Sequence, residues 1–513
     1  MPVFSRLATL LLFGGIVSNA FAAQDDARAY LSAGPLWQQF RLTLEPGERT
    51  EAAGPFWYRE TTWETLPPAP SPLDPPPTLT ALQQQAATVA FPPFFIRHDR
   101  GDVEYRSLHI LYPLITHSRY GGEYRFQILQ LFSFAGGTTP DDGLTKRFTL
   151  FPIYFQQRST DPALNYTGLM PLYGTVKNRL FRDEVNWVLW PLYVRTQKKD
   201  VETVNYVVPF VHVRRGDQLR GWQFWPFYGT EHREPHLFTD RFGDPELMPG
   251  HNRRFALWPL YSDNRTGTGT TNEIHQRAVL PLFDFQTSAA FERRTYLWPF
   301  GVSRFDDHLR DFHQTSVAWP LVIFGRGPGT NINRVFPLYG STRTPDLEST
   351  LVLWPLYRAR HKQTDLMEFQ RTSILFFLYT DSRFTETATQ RVQRRSDLWP
   401  LFTARRAMDG RERLQILAPL EPLLVNNAGL QRSWSPLWSL WRAEMNPATG
   451  TSSQSLLWNL YRRESAPGTK KCSLLFGLVR YHSSPTGARW RILFLPLGKP
   501  SGEADPPDRP TKP

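Results

Sequence analysis

The chain has 513 residues, a formal net charge of +12 at pH 7 and a single cysteine, Cys472. One thiol excludes an intrachain disulfide framework and a cysteine-rich metal centre. Beyond the N-terminal region, no apolar run reaches the length of about 18 residues that a transmembrane helix needs. The positive charge favours contact with phosphate-bearing surfaces, although solvated arginines at strand ends would also account for it.

Residues 1–22 have the pattern of a secretory signal peptide. Arg6 gives a charged start, residues 7–17 are apolar, and Ala20-Phe21-Ala22 forms a small-x-small cleavage site. A membrane anchor is the alternative, but the apolar stretch is short for one. The pattern predicts export, with the bacterial outer membrane as the favoured location and the periplasm or cell surface as alternatives.

Two segments precede the main repeat. Within residues 23–65, Gly34-Pro35-Leu36-Trp37 and Gly54-Pro55-Phe56-Trp57 are related tetrapeptides that lie 20 residues apart. They predict a capping hairpin, because terminal repeats usually depart from the consensus. Residues 66–90 are rich in proline and predict an extended linker, which includes one short helical stretch from Leu79 to Val89.

Residues 91–498 repeat the run Leu257-Trp258-Pro259-Leu260-Tyr261 in degenerate form. With Pro259 as the register mark, 21 marks fall over 403 residues, a mean step of about 20. A fixed period of this kind is the signature of a repeat architecture. We predict a structural role for the Trp-Pro pairs of the repeat. These pairs are Trp190 and Pro191, Trp225 and Pro226, Trp258 and Pro259, Trp298 and Pro299, Trp319 and Pro320, Trp354 and Pro355, and Trp399 and Pro400.

The apolar runs of the repeat are short and bounded by Gly, Asn, Asp and Pro, which predicts strands separated by turns. Connections of about 10 residues favour antiparallel neighbours. The predicted fold is therefore an all-β antiparallel meander of about 20 strands, most of them with a proline in mid-strand. Bends at one height would curve the sheet and close it as a large β-barrel. A β-solenoid or an open curved repeat sheet is the alternative, and residues 499–513 are predicted to be a disordered tail.

The motif also suggests a membrane environment. Both faces of the run from Tyr296 to Val302 are apolar, with Arg293, Arg294 and Arg304 beside it. An apolar band flanked by aromatic and basic residues resembles transmembrane barrels. The resemblance implies a non-enzymatic channel or envelope scaffold whose partners are outer-membrane lipid or lipopolysaccharide head groups. Leu and Pro would face the lumen, which is polar in such barrels, so a soluble periplasmic or surface repeat protein that binds a partner is the alternative.

Little in the sequence indicates chemistry. The longest step of the repeat holds His232 and His236, which have acidic neighbours and could ligate a metal. On a loop, their spacing does not place both side chains on one face, so a solvated loop is the better interpretation. Neither a G-x-S-x-G elbow nor a Walker A loop occurs. We predict no catalytic residue, cofactor or metal and no nucleic-acid partner, with an envelope hydrolase using the 229–257 loop as a distant alternative.

Overall fold

The computed structural model describes residues 36–65, 82–101, 103–139, 143–239, 243–485, 487–493 and 495–497. The predicted signal peptide, most of the proline-rich linker and the predicted C-terminal tail lie outside these residues. Among the residues described, none of the helices has the length and apolar character needed to cross a lipid bilayer.

Strands alternate with tight turns along the described chain. The strands are β1 (Gln38–Arg41), β2 (Gly47–Ala52), β3 (Trp57–Thr65), β4 (Leu82–Phe91), β5 (Phe95–Arg100), β6 (Tyr105–Ile110), β7 (Ile115–Tyr120), β8 (Glu123–Ile128), β9 (Phe132–Thr139), β10 (Gly143–Leu150), β11 (Tyr154–Ser159), β12 (Tyr166–Leu169), β13 (Tyr173–Arg179), β14 (Arg182–Val188), β15 (Tyr193–Lys198), β16 (Val201–Tyr206), β17 (Val211–Gly216), β18 (Leu219–Phe224), β19 (Tyr228–Arg233), β20 (His236–Thr239), β21 (Pro245–Met248), β22 (Gly250–Ala256), β23 (Tyr261–Thr268), β24 (Ile274–Val279), β25 (Phe283–Thr287), β26 (Phe291–Tyr296), β27 (Val302–Asp307), β28 (Phe312–Val317), β29 (Val322–Gly327), β30 (Thr330–Val335), β31 (Tyr339–Thr344), β32 (Leu347–Val352), β33 (Tyr357–Gln363), β34 (Met367–Ile374), β35 (Tyr379–Glu386), β36 (Val392–Leu398), β37 (Phe402–Arg406), β38 (Glu412–Ile416), β39 (Trp441–Asn446), β40 (Thr451–Leu456), β41 (Tyr461–Ala466), β42 (Thr469–Leu474), β43 (Val479–Ser484), β44 (Gly487–Ile492) and β45 (Leu495–Leu497). The helices are α1 (Ala428–Ser433) and α2 (Ser435–Trp438), with short 3-10 turns at Gly54–Phe56, Pro162–Leu164 and Leu475–Gly477.

Successive strands pair in antiparallel fashion, so the chain forms a meander. The pairing of β15 with β16, for example, runs from Tyr193 opposite Tyr206 to Lys198 opposite Val201. One insertion interrupts the order, because β20 and β21 form a separate two-stranded sheet while β19 pairs with β22. The predicted all-β antiparallel meander is confirmed. Its closure as a barrel stays a prediction.

The position of the prolines differs from the prediction. β14 ends at Val188 and β15 begins at Tyr193, so Trp190 and Pro191 lie in the turn between them. The prediction of about 20 strands with mid-strand prolines was therefore wrong, since each repeat forms a hairpin of two shorter strands. The physical reason is that proline cannot donate to a strand ladder. At this position in a turn, no backbone donor is needed.

The linker prediction also needs a correction. Its last residues form β4, which pairs with β3 from Tyr58 opposite Ala90 to Thr65 opposite Leu82. Where described, the stretch from Leu79 to Val89 is thus a strand and not the predicted helix. Gln and Ala are good helix formers, but tertiary contacts routinely override this preference, and pairing with β3 buries Tyr58 and Ala90 almost completely.

The chain divides into two compact units. Unit 1 comprises residues 1–92, 406–417 and 436–513, and unit 2 comprises residues 93–405 and 418–435. The predicted boundaries of the capping hairpin and the repeat domain stay predictions. In unit 2, a small core surrounds Trp187, which is 3% exposed and contacts Val176 and Val185. A Cβ atom added to Gly168 would lie 2.4 Å from the indole, so this glycine makes room for the ring.

Candidate functional site

The proline turns of unit 2 form the most distinctive surface of that unit. In an antiparallel meander, alternate turns lie at the same end of the strands, so the proline turns line up at one end of the sheet. We call them the apolar turn row. Its thirteen prolines, counted among the described residues, are Pro113, Pro152, Pro171, Pro191, Pro209, Pro226, Pro259, Pro281, Pro299, Pro320, Pro337, Pro355 and Pro400. The row therefore contains every Trp-Pro pair that the sequence singled out.

Each turn of the row is hydrogen-bonded to the preceding turn, and most are also hydrogen-bonded within themselves. In the turn 189–192, Leu192 N–H donates to Leu189 O at 2.8 Å. Leu189 N–H donates to Leu172 O at 2.5 Å, and Trp190 N–H donates to Pro171 O at 2.7 Å. Since Pro191 has no N–H, every backbone donor of this turn has a partner.

The carbonyl groups of this turn are used by the following turn. Val207 N–H donates to Leu192 O at 2.6 Å, and Val208 N–H donates to Pro191 O at 2.8 Å. The same pattern recurs further along, where Leu353 N–H donates to Leu338 O at 2.6 Å. A peptide group that already has a partner loses little when water is removed. The row can therefore enter an apolar environment at low cost.

The side chains of the row are apolar and face solvent. Trp190 is 47% exposed, Leu257 is 56% exposed and Phe300 is 80% exposed. The aromatic rings contact each other from turn to turn, with 5.8 Å between the ring centroids of Trp225 and Trp258. Large contiguous apolar surfaces on soluble proteins mark sites of interaction with other proteins or with membranes.

The other end of the unit 2 strands is mostly polar. The turn between β17 and β18 consists of Asp217 and Gln218, and the connection from β23 to β24 contains Gly269 and Thr270. Leu180 and Phe181 are an exception, because they form an apolar turn at this end and Phe181 is 95% exposed. Exposed apolar turns are therefore systematic at one end of the sheet, whereas the other end also exposes single apolar residues, such as Leu309 and Leu366, in otherwise polar turns.

Charged residues begin close to the apolar turn row. Arg195 follows Leu192 by three residues, and Arg254 precedes Leu257 by three residues. At a rise of about 3.4 Å per residue in an antiparallel strand, these cations stand about 10 Å from the turns. An apolar edge with a charged zone behind it, in which Arg195 pairs with Glu202 at 2.6 Å, follows the order of acyl chains and head groups at a lipid surface.

The two histidines that the sequence offered as a loop site lie in strands. His232 is an exposed residue of β19 opposite Arg220 and Asn252. His236 begins β20, and its Nε2 lies 2.7 Å from Asp217 Oδ1. No group of three His, Cys, Asp or Glu side chains suited to a metal ion occurs in the part of the chain that the structure describes. The expectation of one solvated loop at 229–257 is corrected, because strands occupy most of this segment.

Glu231, which precedes His232 on β19, also has partners. Glu231 Oε1 lies 2.7 Å from His251 Nε2, and Glu231 Oε2 accepts from Arg214 Nη1 at 2.6 Å. Partial burial alone would raise the pKa of Glu231, but His251 and Arg214 lower it to about 2. A carboxylate held ionised by two partners is suited to a structural ion pair and is a poor general base at neutral pH.

Unit 1 contains a buried ionic network that sequence inspection missed. A cavity of about 60 Å³ is lined by Arg49, Glu51, Arg442 and Glu444, among others. Glu444 accepts hydrogen bonds from Arg413 at 3.0 Å and from Arg442 at 2.8 Å. Burial would raise the pKa of Glu444, but Arg442 and Arg413 lower it to about 2.

Each charge in this network is balanced by another. Arg49 pairs with Glu51 at 2.8 Å and with Glu60 at 3.2 Å, and Asn459 donates to Glu51 across 408 positions of sequence. No local sequence pattern could reveal partners so far apart. Because the charges neutralise each other, the network is better suited to holding unit 1 together than to binding a ligand.

No protein-family model matches the chain, and no curated protein matches it either. A functional proposal therefore rests on the geometry of the apolar turn row.

Proposed function

We propose that this protein is a non-enzymatic scaffold of the bacterial cell envelope that lies on a membrane surface with the apolar turn row inserted into one lipid leaflet. The observation that carries the proposal is the combination of exposed apolar side chains with turns whose backbone N–H groups have partners, as in residues 189–192. A buried peptide group without a partner costs several kcal/mol in hydrocarbon. The stacked turns avoid this cost.

The apolar side chains supply the driving force. Full burial of a Leu or Phe side chain contributes about 1.5–3 kcal/mol, and residues such as Leu257 and Trp258 have about half of their surface still to bury. Each turn would then contribute on the order of 1 kcal/mol. Thirteen such turns in the described part of unit 2 give a multivalent contact with lipid, although no single turn binds tightly.

The positions of the charged residues favour shallow insertion. Interfacial segments bury their apolar face about 5–10 Å into the boundary between head groups and acyl chains. A spanning barrel needs an outward apolar band of about 25 Å. β26 (Phe291–Tyr296) instead contains Glu292, Arg293 and Arg294 within its six residues. This supports attachment to one leaflet over the channel that the sequence also suggested.

The basic residues behind the row favour an anionic membrane. The chain carries a formal net charge of +12, and arginine binds phosphate groups through paired hydrogen bonds. Outer-membrane lipid or lipopolysaccharide head groups are the partners that fit this chemistry and the predicted export. A soluble periplasmic or surface repeat protein is the alternative, in which the row would contact a protein partner.

Flotation with lipid vesicles tests the proposal. Purified protein is mixed with vesicles of phosphatidylcholine and phosphatidylglycerol, and a density gradient separates bound from free protein. We expect the protein to float with the vesicles and its tryptophan emission to shift to shorter wavelength. Protein that stays at the bottom of the gradient would contradict membrane attachment. Discrete conductance steps in a planar bilayer would contradict the scaffold and support the channel.

A further inference from the structure

A cluster of cations lies on one face of strands β30 to β34 in unit 2. Arg334 is opposite Gly340 in register, Gly340 is opposite Leu351, and Leu351 is opposite Arg358. Residues opposite each other on antiparallel strands project from the same face of the sheet. Arg334 and Arg358 therefore share one face, which we call the basic face.

Three more cations extend the basic face. Arg360 follows Arg358 by two positions on β33 and is directly opposite Arg371 on β34. Lys362 follows Arg360 by two positions on the same strand. Like charges directly opposite each other destabilise a sheet. The basic face nevertheless contains five cations within five consecutive strands.

The carboxylates of these strands lie on the other face. Glu348 pairs with Arg343 at 2.7 Å, and Glu368 pairs with His361 at 2.9 Å. Within the described residues of β30 to β34, the basic face carries no carboxylate, and none of its five cations forms an ion pair. The charged residues named on the opposite face therefore form ion pairs with each other, whereas the five cations of the basic face do not.

Small side chains leave room between the cations. Gly340 and Ser349 lie on the basic face between Arg334 and Arg360. The Arg334 side chain extends over Gly340, where an added Cβ would lie 3.6 Å from Arg334 Cγ. Partial burial lowers the pKa of Arg358, and the charges of Arg360, Arg371 and Arg334 lower it further, as expected for guanidinium groups that lie close together.

We infer that the basic face binds the phosphate of an anionic lipid head group, with Arg334 and Arg358 as its principal ligands. This inference rests on the proposed membrane attachment. Arg334 and Arg358 each stand two positions from a turn of the apolar turn row, or about 7 Å along the strand. Lipid that covers the row would place its phosphate at about this height. The guanidinium fork matches phosphate oxygens in a bidentate manner, which a lysine cannot reproduce.

Arginine-to-lysine variants test the inference, because they keep the charge and remove the fork. The variant Arg334→Lys/Arg358→Lys is compared with Arg215→Lys/Arg220→Lys, whose two arginines are opposite each other and stand two positions from the polar turn at Asp217 and Gln218, at the other end of the strands. Affinity is measured for vesicles of phosphatidylcholine alone and for vesicles that also contain phosphatidic acid. We expect the cluster variant to bind phosphatidic acid vesicles about 10-fold more weakly than the wild type, as the loss of one charge-assisted hydrogen bond predicts. The control variant should stay within about twofold, and neither variant should change binding to phosphatidylcholine.

The outcomes separate the inference from the proposed function. Equal affinities of the cluster and control variants for phosphatidic acid vesicles would overturn the inference but leave membrane attachment intact. Absence of wild-type binding to either vesicle would overturn the proposed function and, with it, the lipid as ligand. A titration with inorganic phosphate distinguishes the two sources of the anion. Tight binding of free phosphate, lost in the cluster variant, would identify a soluble phosphate site and contradict the lipid assignment.

Discussion

The turns at the two ends of the unit 2 strands have similar backbone conformations, but their side chains are apolar at one end and mostly polar at the other. Leu189 in the apolar turn row has φ 48°, and Asp217 at the other end has φ 52°. Left-handed backbone suits Gly, Asn and Asp and is uncommon for leucine. At the polar end, Asp217 follows this backbone preference, whereas Leu180 and Phe181 do not. At the apolar end, leucine occupies a position where Asn or Asp would fit the backbone better, which indicates that the apolar side chain itself is required.

The largest expected effect is on the free energy of unfolding, and it distinguishes an apolar residue of the core from one of the surface. Trp187 and Trp190 are three positions apart, but Trp187 is buried in the core and Trp190 is half-exposed in the row. Replacing Trp187 with alanine should lower the free energy of unfolding by about 3–5 kcal/mol, as for other buried aromatic residues. Trp190→Ala should lower it by less than about 1 kcal/mol. Urea unfolding of both variants measures the difference, and equal losses would place Trp190 in the core.

The next effect concerns unit 1, which uses buried charge where unit 2 uses apolar turns. Glu444→Gln leaves Arg413 and Arg442 without their carboxylate and should destabilise unit 1 by about 3 kcal/mol. The pKa of Glu444 is lowered from 4.5 to about 2 in the folded chain. Its ionisation therefore stabilises the fold above pH 4.5, and this contribution is lost as the pH falls towards 2.

Chemical denaturation across this pH range checks that prediction. The stability of the wild type should fall on acidification, and Glu444→Gln should remove part of the dependence. If the free energy of unfolding changes with pH equally in both proteins, the two arginines do not stabilise the ionised form of Glu444. Unit 2 offers a reference, because His251 and Arg214 lower the pKa of Glu231 to about 2 as well.

The third effect tests the apolar turn row without disturbing its backbone. The triple variant Leu189→Asn/Leu257→Asn/Leu353→Asn places a residue that tolerates left-handed backbone at three turns where φ is 48°, 46° and 45°. Thermal stability should change little. Affinity for vesicles should fall by about 100-fold, since each leucine contributes about 1 kcal/mol to burial in lipid.

A matched control exists at the polar end. Leu180 and Phe181 are also exposed and left-handed, with φ 56° and 58°. Leu180→Asn/Phe181→Asn should leave vesicle affinity unchanged, because these side chains lie at the end of the sheet opposite the row. If this control loses affinity as strongly as the triple variant does, any exposed apolar residue promotes binding and the row has no special role.

Much of the fold was predictable because the repeat is strong. The step of about 20 residues and the turn residues between apolar runs predict an all-β antiparallel meander, which the structure confirms. The number of strands was not predictable from the same pattern. Residues such as Leu257 and Trp258 form one apolar run with Tyr261, so the run resembles a strand centre. In the structure, Leu257 and Trp258 instead belong to a turn, which is stabilised by hydrogen bonds to the preceding turn such as Trp258 N–H to Pro226 O.

The candidate sites depended on contacts that the sequence does not display. The Trp-Pro pairs were identified, but their exposure and their paired backbones follow from the stacking of turns about 20 residues apart. The basic face was missed, since Arg334 and Arg358 come together only through the register of four strands. The ionic network of unit 1 was missed for the same reason, with Glu51 and Asn459 at opposite ends of the chain.

The depth of the tryptophans in a bilayer tests the central claim most directly. Wild-type protein and the triple variant are mixed with vesicles whose lipids carry bromine, a quencher of tryptophan fluorescence, either near the glycerol backbone or near the end of the acyl chain. Insertion of the row into one leaflet predicts stronger quenching by the shallow bromine than by the deep one, and loss of both in the triple variant. Strongest quenching by the deep bromine, or equal quenching of the two proteins, would contradict shallow attachment through the apolar turn row.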